Sequence, residues 1–385
     1  MAQVHGSSDP AFNALRDELQ QRIGDGRELG AAICVNIDGN NVVDIWGGYA
    51  NPGKTELWRE DTLAIVWSCT KVVSALATLI LVDRGLLDLD APVAGYWPEF
   101  AVNGKENIKV SHILTHSAGI PTWSPPIDVE TIFDLKKATK LLEQGGPPWW
   151  TPGEQTGYHM TNVGHYLGEL VRRVTGKSLG QFIADEIASP LNADFGLGVA
   201  EKDWPRTAEV QPPPPISVEG IDSTSIMFKT FTGVPMKAEV AHQPGWRKTE
   251  VGAANGYSTA RALARIGSIV SLGGAVDGRQ YLSPDIIDHM LQERQRGHDL
   301  VLGHYLRFGL GVGLPVPQTI PYIPEGRVCF WSGWGGSMFI MDMERKMTIS
   351  YIMNKMAQGT LGNENAGAYI SEIYKVVDAL RASSQ

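Results

Sequence analysis

Apolar positions run along this chain in two rhythms, and each change of rhythm marks a new element. Residues 11–23 repeat them at helical spacing, which predicts an amphipathic helix. The segment AAICVNIDGNNVVDIWGG then sets two apolar runs on either side of Asp38-Gly39-Asn40, predicting a β-hairpin. From Ser68 to Arg84 the chain is apolar on nearly every side (KVVSALATLILV), and Gly85 supplies a C-cap. That stretch predicts a buried helix with Ser68 at its amino terminus.

Between about residues 86 and 245 helical segments alternate with long loops. Val163, Tyr166, Leu167, Leu170, Val171 and Val174 share one helix face, and Gly176 ends that helix. The connectors PTWSPP, GGPPWWTPGE and QPPPPIS hold too much proline for regular structure, and such loops commonly wall a binding site. A helix over 259–271 follows. RVCFW, SMFIMD and MTISYIM then read as strands, and Ala366, Tyr369, Ile370, Ile373, Tyr374 and Val377 line one face of a closing helix. Strands at both ends, with helices and loops between, predict one α/β domain built from residues 1–85 and 246–385 and a mainly helical domain, 86–245, inserted into it. The cleft between the two is the expected site.

At 385 residues and 43% apolar, the chain can bury a core of that size. Its net charge of −9, with no long basic run, argues against nucleic acid or an anionic membrane surface as a partner. The amino end, MAQVHGSSDPAF, lacks the basic start and apolar stretch of a secretory signal, and the apolar run at 72–82 is too short to span a bilayer. A cytoplasmic protein is the expectation. Cys34, Cys69 and Cys329 stand singly, which fits a reduced compartment and offers no zinc spacing. Cys69 reads as a buried packing residue. His112 and His116 lack a third ligand, so neither metal nor cofactor is expected.

Candidate chemistry begins at Ser68-Cys69-Thr70-Lys71. Residues three apart share a helix face, so Lys71 can reach the Ser68 hydroxyl, and the helix amino terminus favours negative charge developing there. A lysine in an apolar helix also has reason to hold a lowered pKa and accept a proton near neutrality. A bland alternative is that Ser68 caps the helix while Lys71 snorkels to solvent. Two further segments weigh against it. Trp149-Trp150-Thr151-Pro152-Gly153-Glu154-Gln155-Thr156-Gly157-Tyr158 delivers a phenol just ahead of the 161–175 helix, where it can face the cleft. Trp331-Ser332-Gly333-Trp334-Gly335-Gly336-Ser337 carries three glycines between two strands, so its backbone N–H groups can approach a substrate and complete an oxyanion hole with that of Ser68.

With these segments the chain resembles the family VIII carboxylesterases, relatives of class C β-lactamases and penicillin-binding proteins. Further carriers are Ile113-Leu114-Thr115-His116-Ser117-Ala118-Gly119-Ile120, the Trp-Thr-Pro-Gly run before Tyr158, Tyr257-Ser258-Thr259-Ala260-Arg261 and Trp334-Gly335-Gly336. The resemblance implies an α+β, serine β-lactamase-like fold with an antiparallel sheet flanked by helices. It implies Ser68 as nucleophile, Lys71 and Tyr158 as managers of its proton, and the Ser68 and Ser337 N–H groups as the oxyanion hole. Trp334, Gly335 and Gly336 would meet the substrate, a small-molecule ester. Which of Lys71 and Tyr158 is the base stays open. Two departures matter: Tyr158-His159-Met160 lacks an asparagine two positions after the tyrosine, and Trp334 stands where class C enzymes have a lysine. An indole brings apolar area and one donor but no charge, which favours uncharged esters over anionic β-lactams.

Other readings are weaker. Gly256-Tyr257-Ser258-Thr259-Ala260 approaches the glycine-x-serine-x-glycine elbow, but it follows polar loop and opens a helix, so Ser258 reads better as an N-cap. His159 could be a base, though a lone histidine is more often a structural hydrogen-bonder. Trp123, Trp149, Trp150, Trp331 and Trp334 either line the cleft or cover core beneath the loops. An acyltransferase or weak β-lactamase would use the same Ser68 acyl-enzyme, whereas a non-catalytic binding protein would have no need of Ser68, Lys71 and Tyr158 together.

Overall fold

In the computed structural model, which describes residues 2–215 and 219–383, the predicted hairpin forms from β2 (Gly30–Ile37) and β3 (Asn40–Gly48). Asp38 and Gly39 turn it, both at positive φ, as a two-residue turn compatible with strand twist requires. Val4–Ser8 adds an edge strand, β1, antiparallel to β3. Nothing in its sequence alternates apolar with polar, so pattern reading passes over it. Ile216 and Ser217 of the QPPPPIS connector lie outside the described residues.

Three short pairings follow in the chain. β4 (Ala64–Ile65), β5 (Phe195–Leu197) and β6 (Gly256–Ser258) make a small antiparallel sheet; β7 (Ala275–Val276) pairs with β8 (Arg279–Gln280), and β9 (Gln295–His298) with β10 (Tyr305–Phe308). The principal sheet closes with β11 (Val328–Ser332), β12 (Met338–Asp342) and β13 (Met347–Met353). Its order is β1-β3-β2-β13-β12-β11, antiparallel throughout, with Ala31 of β2 opposite Met353 of β13. Strands β11, β12 and β13 are buried along their whole length, as expected of a sheet covered on both faces. Helix Ala260–Ser271 packs across β2, β12 and β13, while Asn13–Gly24 and Glu364–Ser383 pack on each other. The fold is α+β, as the sequence implied.

Helix Thr70–Asp83 carries the site. Twelve of its 14 residues are buried, and it packs against helices Val163–Thr175 and Leu179–Ile183. An all-round apolar helix can be stable only in such a position. Gly85 follows its end at φ 68°, and Gly176 ends Val163–Thr175 in the left-handed region with its N–H on the Arg172 carbonyl, 2.8 Å. One expectation needs correction: Ser258 does not cap Ala260–Ser271. Ser258 is the last residue of β6, and Thr259 caps the helix by accepting from the Ala262 N–H.

Candidate active site

The helix proper begins at Thr70, two residues later than the sequence suggested, and a tight turn presents Ser68 ahead of it. Trp67, just before, sits at φ 46°, a costly conformation for a bulky side chain that the packing must hold in place. Its ring is wedged between Trp246 and Trp334, with centroids 6.0 and 5.2 Å away. Thr70 ties the turn to β6 through its hydroxyl, which accepts the Gly256 N–H at 2.9 Å. Cys69 is buried, with its thiol pushed up by desolvation, and acts as packing.

Lys71 is 4% exposed, and among the described residues no carboxylate is paired with it. Its Nζ lies 3.0 Å from Ser68 Oγ, 2.7 Å from the Met160 carbonyl and 2.9 Å from the Ala253 carbonyl. Desolvation holds its pKa well below the usual lysine value, since burial disfavours the charged form. The same Nζ lies 4.7 Å from the centroid of the Tyr158 ring. Tyr158 is itself buried, and burial raises its phenol; the Ser68 hydroxyl and the Trp331 indole beside it oppose that shift. Trp331 Nε1 donates to Tyr158 Oη at 2.9 Å, and the Tyr158 N–H is anchored on Asp299 Oδ1 at 3.0 Å.

Ser337 leads into β12 and is fully buried, and its carbonyl accepts from Gly333 N–H at 2.8 Å. Among the described residues, neither the Ser68 nor the Ser337 backbone N–H has an acceptor within the protein, which leaves both free for a substrate oxygen. Gly335 and Gly336 are placed differently: their N–H groups are taken by the Gly359 and Gly333 carbonyls. They are glycines because they sit at φ 92° and 135°, and because a Cβ would run into Met356 and Asn363 respectively.

The tryptophans divide. Trp334 lines the cleft with Trp67, whereas Trp123 and Trp150 are buried with their indoles on the Ala138 and Gln155 carbonyls; Trp149 lines a separate small recess, and Trp331 stands behind Tyr158. His159 is not arranged as a base for Ser68. Its Nδ1 is 2.8 Å from the Gly157 carbonyl, and burial pushes its pKa down to about 3.

The cleft above Ser68 measures about 730 Å³ out to its open mouth. Pro121, Met160, Phe231, Val234, Met236 and Trp334 supply its apolar walls, and no charged side chain lines it among the described residues. Sequence reading missed Phe231, Val234 and Met236, which hang from and beyond the helix Ile226–Gly233, and it missed the two carbonyls on Lys71. A wider concavity of about 1150 Å³ lies between helices Leu135–Gln144 and Val163–Thr175, away from Ser68. Glu169 there is paired with Arg172 and Arg173, and the hydroxyl of its Ser178 is bonded to the Glu250 carboxylate rather than to a lysine, so the Ser68 cleft is the candidate site. Among the described residues there is no cluster of metal-ligating side chains and no helix long and apolar enough to cross a membrane.

A buried serine–lysine–tyrosine constellation stands on this sheet and helix arrangement, and residues 15–371 match the Beta-lactamase family, to which the chain belongs. A crystal structure of a family VIII carboxylesterase superposes with a TM-score of 0.90 at 34% identity, covering 97% of this chain and all of that one. A penicillin-binding protein homologue from Caulobacter crescentus gives 0.87 at 32% identity over 97% of this chain and all of that one. The esterase/beta-lactamase LipL of Mycobacterium tuberculosis is 30% identical over 380 residues, 94% of this chain and 86% of LipL.

Proposed function

We propose that this protein is a serine carboxylesterase that hydrolyses short-acyl esters of uncharged alcohols through a Ser68 acyl-enzyme. The observation that carries the reading is the three-way setting of Lys71 Nζ. Two carbonyls, Met160 and Ala253, take two of its directions as hydrogen-bond acceptors, and the third faces Ser68 Oγ. A neutral amine has two N–H bonds and one lone pair, so those contacts aim the lone pair at the serine proton. With its pKa lowered by burial, Lys71 is the base of acylation.

Ser68 Oγ attacks the ester carbonyl as its proton passes to Lys71. The oxyanion is met by the Ser68 and Ser337 N–H groups. Tyr158, kept protonated by its raised pKa, gives its proton to the departing alkoxide as the C–O bond breaks, and takes one back from the Lys71 ammonium. Water then attacks the acyl-enzyme with the same groups acting in reverse. The absence of any cation lining the cleft supports uncharged esters over β-lactams, whose carboxylate would forfeit a charge-assisted hydrogen bond. Three free, buried cysteines are consistent with the cytoplasm as its compartment.

A fluorophosphonate probe followed by peptide mass spectrometry is expected to label Ser68, and Ser68→Ala to abolish turnover of p-nitrophenyl butyrate while staying folded. In the same assay nitrocefin and benzylpenicillin should turn over at kcat/KM lower by about a hundredfold or more. Labelling elsewhere, or wild-type rates in folded Ser68→Ala, would overturn the mechanism. Faster transfer to an added alcohol than to water would make it an acyltransferase instead.

A further inference from the structure

Trp331 is not needed to wall the cleft: it is 3% exposed, lies on β11, and is not among the residues that line the substrate space. Its Nε1 nevertheless donates to Tyr158 Oη at 2.9 Å. The indole is held for the purpose. It packs at 5.5 Å from Phe308, 6.2 Å from Phe330 and 5.2 Å from the Tyr158 ring itself. An indole N–H can only donate, whereas a phenol oxygen can both accept and donate. With a lone pair of Oη taken by Trp331, the phenol's own proton is left to point away from the indole, and Tyr158 and Ser68 line the same cleft.

We infer that Trp331 is a positioning residue that holds the Tyr158 hydroxyl as a proton donor aimed at the leaving alcohol. This role rests on the ester-hydrolase reading and deepens it. A cation at the same place would pull Tyr158 toward the phenolate; a neutral N–H fixes its direction and leaves the proton on it. In the step concerned, the bond between carbonyl carbon and alkoxide oxygen breaks, the Tyr158 proton moves to that oxygen, and the proton on Lys71, taken earlier from Ser68, replaces it. The need for such a donor depends on the leaving group. Alkoxides require protonation to depart, while p-nitrophenolate leaves without it.

Trp331→Phe keeps a ring between Phe308 and Tyr158 and deletes only the N–H. Its kcat on an alkyl butyrate is expected to fall about five- to tenfold, its kcat on p-nitrophenyl butyrate less than about twofold, and KM to hold for both. Trp331→His, which retains a ring N–H, should recover part of the alkyl-ester rate. Equal losses on the two esters, or no loss on the alkyl ester, would overturn the inference. If Trp331→Phe does not fold, replacement of Trp331 by 3-benzothienylalanine, with sulfur in place of the N–H, reads the same ratio in the native shape. Fluorophosphonate labelling of Ser68 at the wild-type rate in these variants keeps the nucleophile out of the comparison; failure of wild-type protein to label at Ser68 would instead sink the reading beneath it.

Discussion

Lys71 owes its chemistry to what does not surround it. A carboxylate at hydrogen-bond distance would hold the ammonium charged, but the side chain finds two backbone carbonyls and a hydroxyl, and burial decides the matter in favour of the neutral amine. A base works when unprotonated, so kcat/KM should rise with pH through a value well below that of free lysine and then level off. Lys71→Ala should lose about a hundredfold or more in kcat and flatten that rise. Lys71→Arg, permanently charged and able only to donate, should be no better. A wild-type pH profile in either variant would rule Lys71 out as base. The serine, the lysine and the tyrosine were legible because each is a side chain in a recognisable setting. The carbonyls of Met160 and Ala253 were not, since a backbone oxygen leaves no mark on residue identity.

At the scale of the element, two glycines one helical turn apart show where reading stops. Gly164 and Gly168 look alike in the sequence of helix Val163–Thr175. A Cβ at Gly164 would stand 2.3 Å from the Ala253 nitrogen and 2.5 Å from the Gly252 carbonyl carbon, whereas one at Gly168 would meet only the Leu179 side chain at 3.7 Å. Gly164 thus lets the 252–253 backbone press against the helix and deliver its carbonyl to Lys71. Gly164→Ala should cost about 1 to 3 kcal/mol of stability and lower kcat. Gly168→Ala should stabilise the protein by roughly 0.5 to 1 kcal/mol, with activity unchanged. Urea melts and initial rates on the pair separate the two, and equal behaviour would refute the packing argument. The element periods were readable because they depend on which residues are apolar; β1, with little apolar content, and the cleft walls at Phe231, Val234 and Met236, set by how distant segments approach, were not.

Across the whole molecule, Glu28 joins the two halves of the principal sheet's chain. It is buried, and its Oε1 accepts from Tyr351 on β13 at 2.6 Å and from Tyr369 on the closing helix at 3.3 Å. Desolvation raises its pKa from 4.5 to about 7, with both tyrosines opposing. A folded pKa above the unfolded one means the native state holds the proton more tightly. Its contribution is complete below about pH 4.5 and is lost as pH rises to about 7, a change on the order of 3 kcal/mol. Urea midpoints of wild type should therefore fall from pH 5 to pH 8 relative to Glu28→Gln, whose amide does not titrate. Parallel curves would show that Glu28 ionises as freely in the native state as in the unfolded one.

The pairing of β2 with β13 has a consequence for how the chain is made. Ala31 leaves the ribosome more than three hundred residues before Met353, its partner, so for most of synthesis β2 carries an open edge of unpaired N–H and C=O groups. Its near-continuous apolar run, GAAICVNI, cannot be shielded by the hairpin alone. Contacts this distant along the chain are slow to form. The nascent protein therefore keeps that edge open until β13 emerges, and a chain cut short before Met347 would leave it permanently exposed, a template for aggregation rather than a scaffold for catalysis.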